Sequence, residues 1–210
     1  MTSRHVPPLL LWFRDDLRLA DNPALAHAAA SGRPVVAVHV LDEASPGLRP
    51  LGGASRWWLH HALAALIADL GRLGVPLVLR CGAAGNIIPA LAAEIDAAEV
   101  VWNRRYLPAQ VEIDRELKAR LRAEGRRVES FQASLLHEPH TVRTGSGGPF
   151  RVFTPFWRAC RAGPAPRAPL ARPERLVALG APVDGLDLDD LALLPRRPYW
   201  AEGLDRTWTP

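Results

Sequence analysis

Leu9-Leu10-Leu11-Trp12-Phe13 runs straight into Arg14-Asp15-Asp16-Leu17-Arg18-Leu19-Ala20-Asp21-Asn22-Pro23. A short, wholly apolar run of this kind reads as a strand that needs cover on both faces. Asp21-Asn22-Pro23 reads as a helix N-cap followed by proline at the first helical position. The unit is therefore strand, turn, helix. In a βα unit this first turn is where a dinucleotide site places glycines, so that the backbone can approach a pyrophosphate. Here the turn carries Arg14, Arg18, Asp15, Asp16 and Asp21 and no glycine, which excludes a plain NAD or FAD fingerprint. Ion pairs among Arg14, Asp16, Arg18 and Asp21 are expected to fix it.

The same alternation continues along the chain. Strands are predicted at Leu9–Phe13, Pro34–Leu41, Pro76–Arg80, Glu99–Asn103 and Arg127–Phe131, most of them nearly continuous in apolar character. Helices fill the gaps. The first starts at Asn22-Pro23 and stops at Gly32; the second runs from about Ser55 to Gly74, with Trp58, Ala62, Ala65, Leu66, Leu70 and Leu73 as its apolar stripe. The third covers about Asn86 to Ala97. The fourth runs from Pro108 to Glu124, with Ile113, Leu117 and Leu121 on one face and the pairs Asp114–Lys118 and Glu116–Arg120 on the other. This order predicts an α/β fold: a doubly wound five-stranded parallel sheet, Rossmann-like, in strand order 3-2-1-4-5, with Leu9–Phe13 central. After Phe131 the pattern breaks. Thr144-Gly145-Ser146-Gly147-Gly148-Pro149 reads as a turn, Thr154-Pro155 as the cap of a short helix over Phe156–Arg161. Residues 162–210 hold eight of the twenty prolines and read as a weakly structured linker with a short helix around Asp187–Leu194. The expected division is a domain over 1–161 and a linker over 162–210.

Bulk properties narrow the class. A hydrophobic fraction of 48% with 23% charged residues belongs to a folded protein able to bury a sizeable core. Cys81 and Cys160 are too few for a disulfide framework, and no zinc-site spacing is present. No segment reads as a signal peptide or a membrane span, so a soluble protein of the reducing cytoplasm, without a membrane partner, is the expectation. The net charge of +4 is uneven, about +5 over residues 1–161 and −1 beyond. It permits contact with nucleic acid without demanding it.

Three segments carry a family resemblance. The first is W-F-R-D-D-L-R-L-A-D-N over 12–22. The second is Trp102-Asn103-Arg104-Arg105-Tyr106-Leu107-Pro108, at the carboxyl end of the fourth predicted strand, on the rim where open α/β sheets bind ligands. The third is Gly147-Gly148-Pro149-Phe150-Arg151-Val152-Phe153-Thr154-Pro155-Phe156-Trp157-Arg158, whose glycines read as turn and cap rather than as a phosphate cradle, since no Gly-Lys-Ser/Thr follows. In that order they resemble the DNA photolyase/cryptochrome family. Tyr199-Trp200-Ala201-Glu202-Gly203-Leu204 and Trp208-Thr209-Pro210 resemble that family's link into its helical flavin domain.

The resemblance implies a light-harvesting domain rather than a catalytic one. It places FAD, the electron-relay tryptophans and the lesion pocket in a C-terminal helical domain, before which this chain is expected to end. Catalytic residues and metal ligands are expected to be absent, and the chain alone is expected to be inactive, although the parent family is a carbon–carbon lyase acting on damaged DNA. What remains is a pocket for an antenna pigment, a reduced folate or a deazaflavin. By position it should draw on Arg14, His39, Leu41, Asp42, Arg56, Asn103, Arg105 and Gln110. Taken alone, His39 reads as a packed strand residue, and Arg104-Arg105 as a solvated basic turn. The chain departs from the family pattern at Leu107, where many relatives carry Glu. It departs again at Ala109-Gln110, where folate-binding relatives carry Asn-Glu. Gln110 can hydrogen-bond a pterin edge but supplies no carboxylate. A cryptochrome-type photoreceptor without repair activity and a nucleotide-binding α/β module stand as alternatives.

Overall fold

A computed structural model describes residues 6–208. Five parallel strands form the body of the sheet: β1 (Leu9–Phe13), β2 (Pro34–Leu41), β3 (Leu77–Cys81), β4 (Glu99–Asn103) and β5 (Arg127–Phe131), in order β3-β2-β1-β4-β5. β1 is central, with Leu11 facing Ala37 on one side and Val101 on the other. All five of its residues are buried. Its alternation is divided between two cores. Leu10 and Trp12 pack with Ile88 and Leu91 of α3 (Ala84–Glu94) and with Ile113, Leu117 and Leu121 of α4 (Pro108–Ala123). Leu9, Leu11 and Phe13 pack with Leu25 and Ala28 of α1 (Pro23–Ala30) and with Leu66 and Leu70 of α2 (Gly53–Arg72). Helices thus cover both faces, as the doubly wound prediction requires. α1 begins where the sequence signals it: the Asn22 side chain accepts from the Leu25 amide at 3.0 Å, and proline follows.

Three local expectations are corrected. On α2 the buried tryptophan is Trp57, whose indole N–H donates to Asp205 at 2.8 Å, while Trp58 is 43% exposed. Asp114 does not pair with Lys118. It is buried, and faces Arg14 and Trp102 across the helix–sheet interface, while the Lys118 ammonium donates to the Ser130 hydroxyl at 2.7 Å. Among the ion pairs expected within the first turn, Arg18–Asp21 forms, at 3.8 Å, but Arg14 reaches out of the turn to Asp114.

Beyond β5 the chain turns at Thr144–Gly148 and enters α5 (Phe153–Ala162), which starts three residues before the expected Phe156. Val152, Phe153 and Trp157 of this region are exposed, and the rings of Phe153 and Trp157 stack with centroids 6.3 Å apart. The proline-rich segment is more ordered than its composition suggests. Residues Val177–Ala178 form a sixth strand, β6, parallel to the start of β2. The Leu186 amide donates to the Leu79 carbonyl on the outer edge of β3 at 2.9 Å, and Gly185 passes so close that a Cβ there would lie 3.3 Å from the Leu79 nitrogen. A 3-10 turn over Leu188–Leu191 falls where a short helix was expected; Leu191 and Leu193 close a small core with Leu41, Leu63 and Leu79. A final helix, α6 (Glu202–Thr207), follows; Thr209 and Pro210 of the tail motif lie outside the described residues. Among the described residues no helix is long and apolar enough to cross a membrane.

Candidate functional site

The carboxyl ends of β1, β2 and β4 open into a cleft of about 620 Å³, a size suited to a small organic ligand. Its walls are the turn after β1, the Asp42–Leu51 loop after β2, Arg105 and Gln110 at the start of α4, and one side of α2. Trp58, Leu59, Ala62 and Ala65 supply that last wall. Three of the residues read from sequence as core stripe are therefore a ligand-sized surface, a tryptophan with two alanines leaving room beside it.

Six of the eight sequence-derived site residues come together here: Arg14, His39, Leu41, Asp42, Arg105 and Gln110. Arg56 and Asn103 do not line the cleft. Arg56 pairs with Glu43 and donates to the Leu51 carbonyl at 3.2 Å, so it braces the loop at the lip. Asn103 turns inward. Its amide N–H₂ donates to Asp16 and, at 2.8 Å, to Asn22, and its carbonyl accepts from the Ala24 amide at 3.1 Å. That arrangement ties the end of β4 to the start of α1 and keeps the side chain out of the cleft.

The six that converge are not equally free. Asp42 accepts from the amides of Ser45 (2.9 Å) and Ala84 (3.0 Å) and from the Ser45 hydroxyl (2.6 Å), which fixes its own loop and the first turn of α3. The Arg14 guanidinium grips Asp114 through two N–H groups, at 2.5 and 3.1 Å, and also donates to the backbone carbonyl of Asn103. It lies 4.6 Å from the centroid of the Trp12 ring. Gln110 makes no hydrogen bond with any described residue. Arg105 has one distant partner, Asp15 at 3.8 Å, and its burial next to Arg14 lowers its pKa from the usual arginine range. His39 is 5% exposed; its Nδ1 meets the Phe13 carbonyl at 3.2 Å, and burial pulls its pKa down to about 4, so the ring is neutral at pH 7.

Buried polar atoms nearly always have partners. Among the described residues eight buried side-chain nitrogens have none, and five of them belong to residues lining this cleft: Trp12 Nε1, Arg14 Nε, His39 Nε2, and Arg105 Nε and Nη2. Sequence reasoning missed Trp12, Glu43 and Trp58 here. The signal for Trp58 was available, since alanines at 62 and 65 along a supposed core stripe leave a gap that a well-packed interior would fill. Elsewhere His27, Glu99 and Glu129 approach closely enough to hold a cation. Glu99, however, already meets His27 at 2.9 Å and Arg127 at 3.2 Å, so the group is an ion-pair network. The Gly145–Gly148 turn closes on itself, with the Gly147 amide on the Thr144 carbonyl and the Gly148 amide on the Thr144 hydroxyl.

A doubly wound sheet with a ligand-sized cleft at its carboxyl rim defines a class of α/β binding domain. Residues 9–174 match the DNA photolyase family, and the chain belongs to it. A deoxyribodipyrimidine photo-lyase of Agrobacterium fabrum is 46% identical over 208 residues, covering 99% of this chain and 43% of the relative. Cryptochrome-1 of Arabidopsis thaliana is 36% identical over 176 residues, covering 80% of this chain and 25% of that protein. In three dimensions the chain superposes on a bacterial class III photolyase from Agrobacterium tumefaciens with a TM-score of 0.93 and 45% identity, over 100% of this chain and 43% of that one. The chain thus spans less than half the length of these relatives.

Proposed function

We propose that this chain is the light-harvesting domain of a photolyase-type protein, and that the rim cleft holds its antenna pigment. The observation that carries this reading is the set of five unpartnered buried nitrogens on residues that line one cleft with Trp58, Ala62 and Ala65. Such a set suits a planar conjugated ring with polar edges, stacked or wedged against the tryptophan. A bound pigment of this kind, a reduced folate or a deazaflavin, absorbs near-ultraviolet light and passes excitation to a flavin. The residues proposed to hold it are Arg14, His39, Leu41, Asp42, Arg105 and Gln110; Arg56 acts through Glu43 on the lip of the cleft, and Asn103 through the turn it fixes. Glu43 brings to the cleft a carboxylate that position 110 does not.

In the whole protein the proposed partners are a flavin domain carrying FAD and, through it, damaged DNA. The exposed Val152, Phe153, Phe156 and Trp157 offer a surface on which such a domain can pack. The proposed reaction is light-driven splitting of pyrimidine dimers, and a cytoplasmic location accords with it. A photoreceptor of the cryptochrome type is the second reading, motivated by the match to the Arabidopsis protein. A nucleotide-binding module is disfavoured by the self-closed Gly145–Gly148 turn.

The test is direct. The purified chain should carry or take up a near-ultraviolet absorber when titrated with reduced folate or deazaflavin, and Arg105→Ala should weaken uptake at least about tenfold through loss of charged hydrogen bonds. No uptake of either pigment overturns the proposal. The chain with added reduced FAD should not repair dimer-containing DNA under illumination beyond a flavin-only control.

A further inference from the structure

The bond between His39 and Phe13 fixes where the imidazole proton sits. A carbonyl oxygen only accepts, so the ring nitrogen that meets it, Nδ1, carries the hydrogen. In the neutral ring Nε2 is then a bare lone pair. That atom is buried and has no partner among the described residues. The other unpartnered atoms of the cleft are all donors: Trp12 Nε1, Arg14 Nε, and Arg105 Nε and Nη2. Among the buried unpartnered atoms of the residues lining the cleft, Nε2 is therefore the one acceptor beside four N–H donors. Burial keeps His39 from becoming a second donor, against the pull of Asp15 and Asp16, while Arg105 opposes its protonation.

This pattern selects a ligand edge. A phosphate or carboxylate would satisfy the donors but would set its own lone pairs against Nε2. A hydrocarbon ring would leave every atom unmet, at a cost of about 1–3 kcal/mol for each buried group. We infer that the cleft recognises a planar heterocycle through a ring N–H beside a carbonyl, as in a cyclic lactam or imide. The N–H donates to His39 Nε2 and the carbonyl accepts from Arg105. His39 is thus the residue that sets specificity at the pigment site. The inference rests on the cleft being that site. It selects the edge chemistry and leaves the choice among pigments bearing such an edge to the rest of the pocket.

The experiment uses the full 210-residue chain and two pairs of fluorescent probes: riboflavin with its N3-methyl derivative, and pterin with 3-methylpterin. Methylation removes the ring N–H and leaves the carbonyl. At least one parent probe should bind, and its methylated partner should bind about 10- to 100-fold more weakly, the cost of one buried hydrogen bond left unmade. In His39→Ala the parent should weaken by a similar factor and the penalty for methylation should vanish. Nitrogen-15 chemical shifts of the ligand-free protein should place the His39 proton on Nδ1. If His39→Ala does not fold, the probe pairs on the unaltered protein and the nitrogen shifts decide alone. Equal binding of a parent and its methylated partner, or a proton on Nε2, overturns the edge assignment. Loss of binding in Arg105→Ala together with equal binding of the pair would leave the cleft as the pigment site while removing His39 from its recognition. Failure of both parents to bind overturns the cleft and the edge together.

Discussion

Two polar clusters sit side by side at the carboxyl rim of the sheet, and they have opposite characters. In one, Arg14, Asp114, Trp102, Asn103, Asp16 and Asn22 satisfy one another almost completely, through bonds that span up to 100 residues of sequence. In the other, Trp12, His39 and Arg105 hold buried nitrogens that have no partner among the described residues. A closed network rigidifies and specifies a fold; an open one holds polar groups in readiness, at a cost in stability that a ligand relieves. The boundary falls within one motif. In Trp102-Asn103-Arg104-Arg105, the tryptophan and asparagine serve architecture, Arg104 grips Glu138, and Arg105 is left for the cleft.

If that division is right, changes to the closed cluster should cost stability, and changes to the open cluster should cost binding. The largest effect is expected for Asp114→Ala, which strands the Arg14 guanidinium in a site where both side chains are under one-tenth exposed. About 3–5 kcal/mol should be lost in urea unfolding; a loss under about 1 kcal/mol would show that the network is not what holds the rim.

A pH titration sharpens the comparison from the other side. Burial holds the His39 pKa at about 4 in the folded protein, against the ordinary imidazole value of 6.5, so between those values the unfolded chain binds more protons. Stability should therefore be unaffected above about pH 6.5 and fall progressively towards pH 4, by on the order of 3 kcal/mol from this group. His39→Leu should flatten that part of the profile; an unchanged slope would mean that the ring is not buried neutral.

Asn103→Ala should follow, with about 2 kcal/mol lost from three buried hydrogen bonds and pigment affinity changed less than threefold once the folded fraction is accounted for. The smallest stability effect belongs to Arg105→Gln. Its unpartnered nitrogens contribute little to the fold, so unfolding should shift by less than about 1 kcal/mol in either direction while pigment binding drops at least about tenfold. A variant that loses stability and keeps affinity would erase the distinction between the clusters.

Much of the architecture was legible because it follows from local pattern. An uninterrupted apolar strand demands cover on both faces, and β1 has it; Asn22-Pro23 caps a helix wherever it is placed. What was not legible depends on partners distant in sequence. Asp114 reads as the mate of Lys118 until the fold puts Arg14 opposite it. Trp57 and Trp58 are indistinguishable by hydropathy, and only the contact with Asp205 decides which is buried. The strand ends pointed to the rim, since that is where a doubly wound sheet opens, and six of the eight residues chosen there line one cleft. They could not tell that Asn103 would spend all its hydrogen bonds inward or that Arg56 would reach Glu43. The proline-rich tail misled for the same reason, because its order comes from pairing with β2 and β3 rather than from propensity.

That pairing bears on how the molecule behaves in a crowded solution. β3 is an outer strand of the sheet, with Leu77, Val78 and Leu79 in it, and a bare strand of this kind is a template for a second chain. Leu186 and the close-passing Gly185 occupy that template. The segment that reads as a loose connector thereby covers that edge, and a chain cut after residue 176, which loses β6 but keeps the five main strands and every residue lining the cleft, should aggregate from its exposed edge.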